Sequence, residues 1–410
     1  MSPEATKWNP SVLQKFRHKT DPLADKLIEE IISSGEEMAI NKLFNDLVKN
    51  AGLSDVQFPK NVEKYFQETS ILPEWADQKK IRIGQKVFER HGPTISLVLM
   101  FKSLPEAYAC ANGAMVLYKT GRLSTHNGSV DMLTRRLMET AQFVINVCEK
   151  GGLNPDGNGI ITAQKVRLIH AAIRYFLKKD DWDTATLGEP INQEDMAGTL
   201  QSFSTLILEG LKMIGIELTP KENEGYFHCW RIIGHVMGLD PELNVETYKE
   251  GHELGYAILD HQCAASEQGK ELTKAMISFI EHMLPGNLFE HIPPALIRFF
   301  VGDRIAGFLA LEEHHNLLEK IIPKLPKETQ KDIAETDDPA AIFGKLVSHI
   351  NMFLLNSMNH YFNHYKGVHF YIPPSLKENW KLQVMWESVM ALTPPIMGYR
   401  LGIDKKKSSI

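Results

Sequence analysis

Apolar residues recur at helical spacing along most of the chain. Leu27, Ile28, Ile31 and Ile32 make one set and Leu43 with Leu47 a shorter one, and both read as peripheral amphipathic helices beyond a turn at Asp21-Pro22. From Ile81 onward the apolar positions become more continuous at the same spacing, and the alternating β-branched runs that make strands are missing nearly everywhere. An all-α fold follows, a single large multi-helix domain. Helices are expected near 130–149, 161–178, 193–214, 221–237, 245–265, 270–284, 294–311 and 339–364. Several starts are legible because the free N–H groups of a first turn need side-chain acceptors. Thr219-Pro220-Lys221-Glu222 has the form of a capping box with proline at the first helical position. Asn192 before Glu194 and Asp195, and Asp240-Pro241, are weaker openings of the same kind. The run Gly151-Gly152-Leu153-Asn154-Pro155-Asp156-Gly157-Asn158-Gly159 cannot continue a helix and separates two of them.

Composition narrows the possibilities. The 410 residues are 43% hydrophobic and 23% charged, which excludes disordered, collagen-like and coiled-coil classes. A net charge of -6 offers no basic field for a phosphate backbone, so nucleic acid is not an expected partner. Only four cysteines occur, none as Cys-x-x-Cys, so neither a disulfide framework nor a thiolate zinc site is suggested. The N-terminus has no basic stretch leading into an apolar core, and the most apolar run, Thr94 to Phe101, is far short of the roughly 20 residues that span a bilayer. A cytoplasmic protein with no transmembrane segment is the expectation.

Two helices carry candidate chemistry. Val166, Ile169, His170, Ile173 and Leu177 share one apolar face, which should turn the His170 imidazole inward. Such a ring is either a core histidine hydrogen-bonded to a carbonyl or a neutral ligand for a metal or haem iron, oriented through its other nitrogen. On the preceding helix Arg136, Thr140, Phe143 and Val147 share a face, with Glu139 beside them. Arg136 and Glu139 make either a surface ion pair or, opposite a ligating histidine, part of a donor set for dioxygen or a developing oxyanion.

Other patterns fail on spacing. The Asn154 loop imitates an EF-hand, but Lys165 stands where a bidentate glutamate is needed. His252-Glu253 opens like a zincin helix, yet Tyr256 takes the second histidine position. Glu312 with His315 is half of a di-iron signature without a partner. His360, His364 and His369 lie in an aromatic-rich stretch that suits packing better than chelation. Walker loops, nucleophile elbows and dinucleotide fingerprints are absent.

The order of several central segments resembles one family: Ser103 to Tyr108 (SLPEAY), Gly121-Arg122-Leu123, Arg136 to Thr140 (RLMET), Val166 to Arg174 (VRLIHAAIR), Pro190 to Asp195 (PINQED), Thr199 to Ser204 (TLQSFS) and Trp230 to Gly234 (WRIIG). This is the family of the rubber oxygenases (latex clearing protein) and MpaB-type oxygenases, and the resemblance covers about residues 80–310. It implies a globin-reminiscent helical core holding haem b, with peripheral helical extensions over 1–75 and 311–410. It also implies that His170 ligates the iron, with Arg136 and Arg174 at the cofactor and Arg136, Glu139 and Thr140 in catalysis. The function implied is activation of dioxygen to oxidise or cleave a small lipophilic, isoprenoid-like substrate; the alternatives are a helical haem carrier or sensor, a member without catalysis, or a haem-free lipid-binding module. Two departures stand out. Rubber-cleaving members resemble an Arg-x-x-Lys-Thr pattern where this chain has Glu139, and their upstream catalytic glutamate has no counterpart near Lys119-Thr120. Glu139 or Glu106 is the acid available to take that part.

Overall fold

The structure, a computed structural model, describes residues 7–33, 58–120, 130–283 and 292–312 with isolated positions from 330 to 345; over 130–136 it describes the backbone alone. Every regular element among the described residues is helical. The N-terminal helices are α1 (Pro10–Phe16), α2 (Pro22–Ser33) and α3 (Lys60–Thr69). The central region opens with the long α4 (Gln78–Val98), a π turn (Leu99–Ser103), α5 (Leu104–Ala109) and α6 (Ala111–Lys119). It continues through α7 (Val130–Cys148), α8 (Asn158–Lys179), the single turn α9 (Thr184–Leu187), α10 (Gln193–Phe203) and α11 (Thr205–Met213). Then come α12 (Pro220–Val236), α13 (Tyr248–Gln262), α14 (Glu267–Met283) and α15 (Ile292–Phe308).

The main core is built on α4 and α12, the most extensive helix contact, with Phe88, Val98, Phe101, Tyr108, Trp230, Ile232 and Phe279 buried in it. Close approach depends on two facing glycines. A Cβ on Gly84 would lie 2.4 Å from the Gly225 carbonyl oxygen, far inside van der Waals contact. A second cluster joins Leu27, Ile28 and Ile31 of α2 to Val62, Tyr65 and Phe66 of α3 and to Leu168, Ala171 and Ala172 of α8. In this way α2 and α3 are moored on the far side of α8.

The glycine-rich break forms the corner between α7 and α8. Gly151 takes a left-handed φ of 85°, and a Cβ on Gly152 would meet the Asn146 carbonyl oxygen at 2.0 Å, so the corner closes only around glycine. The capping box at Thr219–Glu222 is present, as is the Asn192 cap. Three expectations needed revision. The helix expected over 193–214 is two, broken at Ser204 (φ -114°, ψ -89°), whose hydroxyl donates to the Leu200 carbonyl and competes with the backbone ladder. Asp240-Pro241 opens only a turn, and the next helix waits for a second capping box, Thr247 with Glu250. Asp21-Pro22 is not a free turn but the entrance of α2. Leu43, Leu47, the 339–364 helix except positions 341, 342, 344 and 345, and His315, His360, His364 and His369 lie outside the described residues.

Candidate functional site

The burial of α8 differs from the sequence expectation. Of the face assigned to the interior, only Leu177 is buried; Val166, Ile169, His170 and Ile173 are half-buried. The deeply buried arc instead holds Gln164, Arg167, Leu168, Ala171, Ala172 and Arg174. Charge pairing is the reason. The Arg167 guanidinium donates to both carboxylate oxygens of Asp21 (2.6 and 2.8 Å) and to the Val236 carbonyl (2.9 Å), so its charge enters the protein fully compensated. Burial works to lower the Arg167 pKa, but the hydrogen bonds and charge of Asp21 outweigh it and hold the group above its ordinary value. Arg174 donates to Asp25 at 2.7 Å and, weakly, to the Ile191 carbonyl at 3.3 Å. Its Nη2 is a buried donor with no hydrogen-bond acceptor among the described residues. His170 thus stands where the buried arc of α8 meets a half-buried apolar face, one turn from that donor.

The height of α7 against α8 follows from one contact. The Asn146 side-chain amide donates to the Thr162 hydroxyl at 2.9 Å across the antiparallel pair. Counting eight residues along each helix away from the corner brings residue 138 level with His170, because both helices rise equally per residue. Arg136, Glu139 and Thr140 therefore lie within about one turn of the imidazole's height. Met138 is buried, while Glu139 and Thr140 are half-buried. The Arg136 side chain lies outside the described residues.

Apolar groups frame this region. Phe143, one turn beyond Glu139 and Thr140, meets Trp230 and Phe203 edge-on at 5.9 and 6.1 Å, and those two rings stack at 4.9 Å. At the other end, Met115 and Val116 of α6 pack in one cluster with Ile173 and Leu177 of α8 and with Trp182. Thr120 closes α6 by bonding back to the Val116 carbonyl, and Lys119 reaches over the Trp182 ring. A half-buried imidazole between Ile169 and Ile173, which pack against two apolar clusters, a spare buried guanidinium donor one turn away and a neighbouring helix bearing an acid and a hydroxyl at the same height form a donor set suited to a flat, greasy, anionic cofactor. Among the described residues no group of three or more His, Cys, Asp or Glu is arranged to hold a metal by itself.

Two buried ionic clusters escaped the sequence reading. In the first, Lys102 on the π turn pairs with Glu106 of α5 and with Glu209 of α11 (3.2 Å), and Tyr256 donates to Glu209. Burial pushes the Glu106 carboxyl up, with Lys102 opposing. Lys102 is held above its ordinary value because the two carboxylates outweigh its desolvation. Glu106 is therefore engaged within its own cluster. In the second, Arg17 pairs with Glu194 (3.3 Å) and Asp195 (2.9 Å), and His261 lies 2.6 Å from Glu194. The i,i+4 spacing of Lys102 and Glu106 was the one local signal for either, and it fits a surface pair equally well.

These features define an all-helical protein in which the half-buried His170 of α8 lies at the height of the 136–140 turn of the antiparallel α7. The chain belongs to the family described as "ER-bound oxygenase mpaB/B'/Rubber oxygenase, catalytic domain", whose model matches residues 98–317, more than half its length. It is 24% identical over 305 residues to the rubber oxygenase of Streptomyces sp. (strain K30), covering 74% of this chain and 73% of that protein. Its fold is similar to the structure of latex clearing protein LCP in the closed state, with a TM-score of 0.67 at 20% identity, over 83% of this chain and 91% of that one. No helix among the described residues is long and apolar enough to cross a membrane.

Proposed function

We propose that this protein is a haem b-dependent oxygenase that uses dioxygen to oxidise or cleave a small lipophilic, isoprenoid-like molecule. Membership of an oxygenase family supports the reaction class. One observation carries the cofactor: His170 is at the border of a half-buried apolar face, level with the 136–140 turn of the facing helix, with the Arg174 Nη2 donor one turn away. Those residues fit the group. His170 would ligate the iron and Arg174 would hold a propionate through Nη2 while its Nε stays on Asp25. Haem, when bound, supplies the iron at which dioxygen is activated.

The chain's own residues do the rest. The Asp21–Arg167 and Asp25–Arg174 pairs lock α8 against α2, fixing the height and orientation of His170. Thr140 would offer a hydroxyl to dioxygen, Arg136 is the candidate cationic donor of the same helix, and Glu139 is the group that would accept a proton from substrate. Phe143, Phe203 and Trp230 make an apolar wall that excludes water from a greasy substrate.

Absorbance of the purified full chain after haem supplementation tests the cofactor. A Soret band is expected in the wild type and its loss in His170→Ala. A wild type without the band, or a His170→Ala variant with unchanged haem occupancy, overturns the assignment. Oxygen uptake with short terpenoid alkenes then separates an enzyme from a carrier or sensor: haem retention without substrate-dependent uptake favours the latter.

A further inference from the structure

Cys110 and Cys263 lie 153 positions apart in sequence, yet they are paired. Cys110 turns the corner between α5 and α6 with ψ of 87°, and Cys263 ends α13 on extended backbone with ψ of 119°, so neither continues a helix. They form an isolated antiparallel bridge. The Ala264 N–H donates to the Ala109 carbonyl at 3.0 Å, beside the pair rather than within it. That pattern makes Cys110 and Cys263 a non-hydrogen-bonded pair, the kind in which Cα atoms stand about 4.5 Å apart and side chains approach most closely. A disulfide accepts Cα separations of roughly 4.4–6.8 Å. The Cys263 side chain is close enough to act on the Cys110 thiol, and both residues are half-buried.

The other two cysteines differ. Cys148 and Cys229 are buried on helical backbone in α7 and α12, 2% and 1% exposed, and the Cys229 thiol donates to the Ile81 carbonyl at 3.6 Å. Burial pushes Cys229 up to about 12. Neither presents a sulfur to a reagent in solution.

We propose that Cys110 and Cys263 are a site of reversible oxidation, cross-linking the α5–α6 corner to the end of α13 on exposure to a low-molecular-weight disulfide. The first cysteine thiolate attacks one sulfur of the reagent, which gives a mixed disulfide and releases one small thiol. The second cysteine then attacks the protein-side sulfur, forming the Cys110–Cys263 bond and releasing the other small thiol. Two protein thiols are oxidised, one reagent disulfide is reduced to two thiols, and the protons pass to the released thiolates. The neighbouring Cys263 thiol, burial, and the charges of Asp195 and Glu194 all hold the Cys110 thiol well above its ordinary range, so exchange is slow at neutral pH and faster in mild alkali.

The closed loop contains α6 through α13, hence every candidate site residue. It anchors the base of α6, whose Met115 and Val116 pack with Ile173 and Leu177 beside His170. The inference is independent of the cofactor assignment and is read without activity.

The full-length chain, incubated at about pH 8 with excess oxidised glutathione, is alkylated under denaturing conditions and mapped by non-reducing peptide mass spectrometry. Free thiols should fall from four to two, with one cross-linked species joining the 110 and 263 peptides. Melting temperature should rise by about 5 °C and return on reduction. Cys110→Ser and, separately, Cys263→Ser should leave the remaining partner as a single glutathione adduct. Mapping of the wild type decides the matter even if a variant fails to fold. Separate glutathione adducts at 110 and 263 in the wild type, persistence of both as thiols, or a cross-link involving Cys148 or Cys229 overturns the proposal.

Discussion

The carboxylate of Asp21, the residue just before α2, receives two hydrogen bonds from the guanidinium of Arg167 on α8, at 2.6 and 2.8 Å, with both side chains buried. The pair sets which side of the His170 helix faces the N-terminal layer. Removing one partner from a buried pair leaves an uncompensated charge and costs about 3–5 kcal/mol. Asp21→Ala should therefore lower stability by about 3 kcal/mol or more in urea denaturation, whereas a double change to Asp21→Leu and Arg167→Leu should recover part of it. A single variant losing less than about 1 kcal/mol would show that the pair does not hold α2 in place.

If Glu139 is the proton acceptor, Glu139→Gln should keep the Soret band and the melting temperature while substrate-dependent oxygen uptake falls about 100-fold or more. The loss should lie in kcat rather than KM. Uptake unchanged within a factor of two would remove Glu139 from the reaction.

The α4–α12 contact makes a packing prediction with an internal control. Gly84→Ala would place a methyl 2.4 Å from the Gly225 oxygen, so the helices must part, at roughly 1–3 kcal/mol or more. Gly307 has nothing within 4 Å of the same position, and Gly307→Ala should be neutral or slightly stabilising by about 0.5 kcal/mol. Melting of the two variants side by side reads the difference.

His228 gives the fold a pH dependence. Its Nε2 accepts a hydrogen bond from the Asp77 backbone N–H at 2.9 Å, which requires a neutral ring, and burial with neighbouring Lys80 and Arg231 lowers its pKa to about 4. The unfolded ring takes a proton near pH 6.5 and the folded ring does not. The stabilisation is thus complete above about pH 6.5 and is lost as pH falls through about 4. Urea midpoints measured from pH 7 to pH 4 should fall more steeply for the wild type than for His228→Asn; parallel curves would contradict this.

Local signals carried a good deal. The capping box at Thr219 and Glu222 is formed as the residues spell it, with the Thr219 N–H donating to Glu222 at 2.8 Å. The glycine run ends α7 and starts α8, because no other residue fits the close carbonyl contacts there. The segments resembling the oxygenase family were legible in order, and the family match spans all of them.

What the sequence by itself determined, then, is what neighbouring residues decide among themselves: helix content, the capping box at Thr219, the glycine break after α7 and the family. Tertiary structure alone decided which face of α8 turns inward. Hydrophobic periodicity places arginine outside, yet Arg167 and Arg174 are buried because Asp21 and Asp25, 146 and 149 residues earlier, arrive to neutralise them. The same holds for Lys102 between Glu106 and Glu209, and for two cysteines brought side by side from distant corners. Burial of charge depends on a partner's position in space, and spacing along the chain carries no record of it.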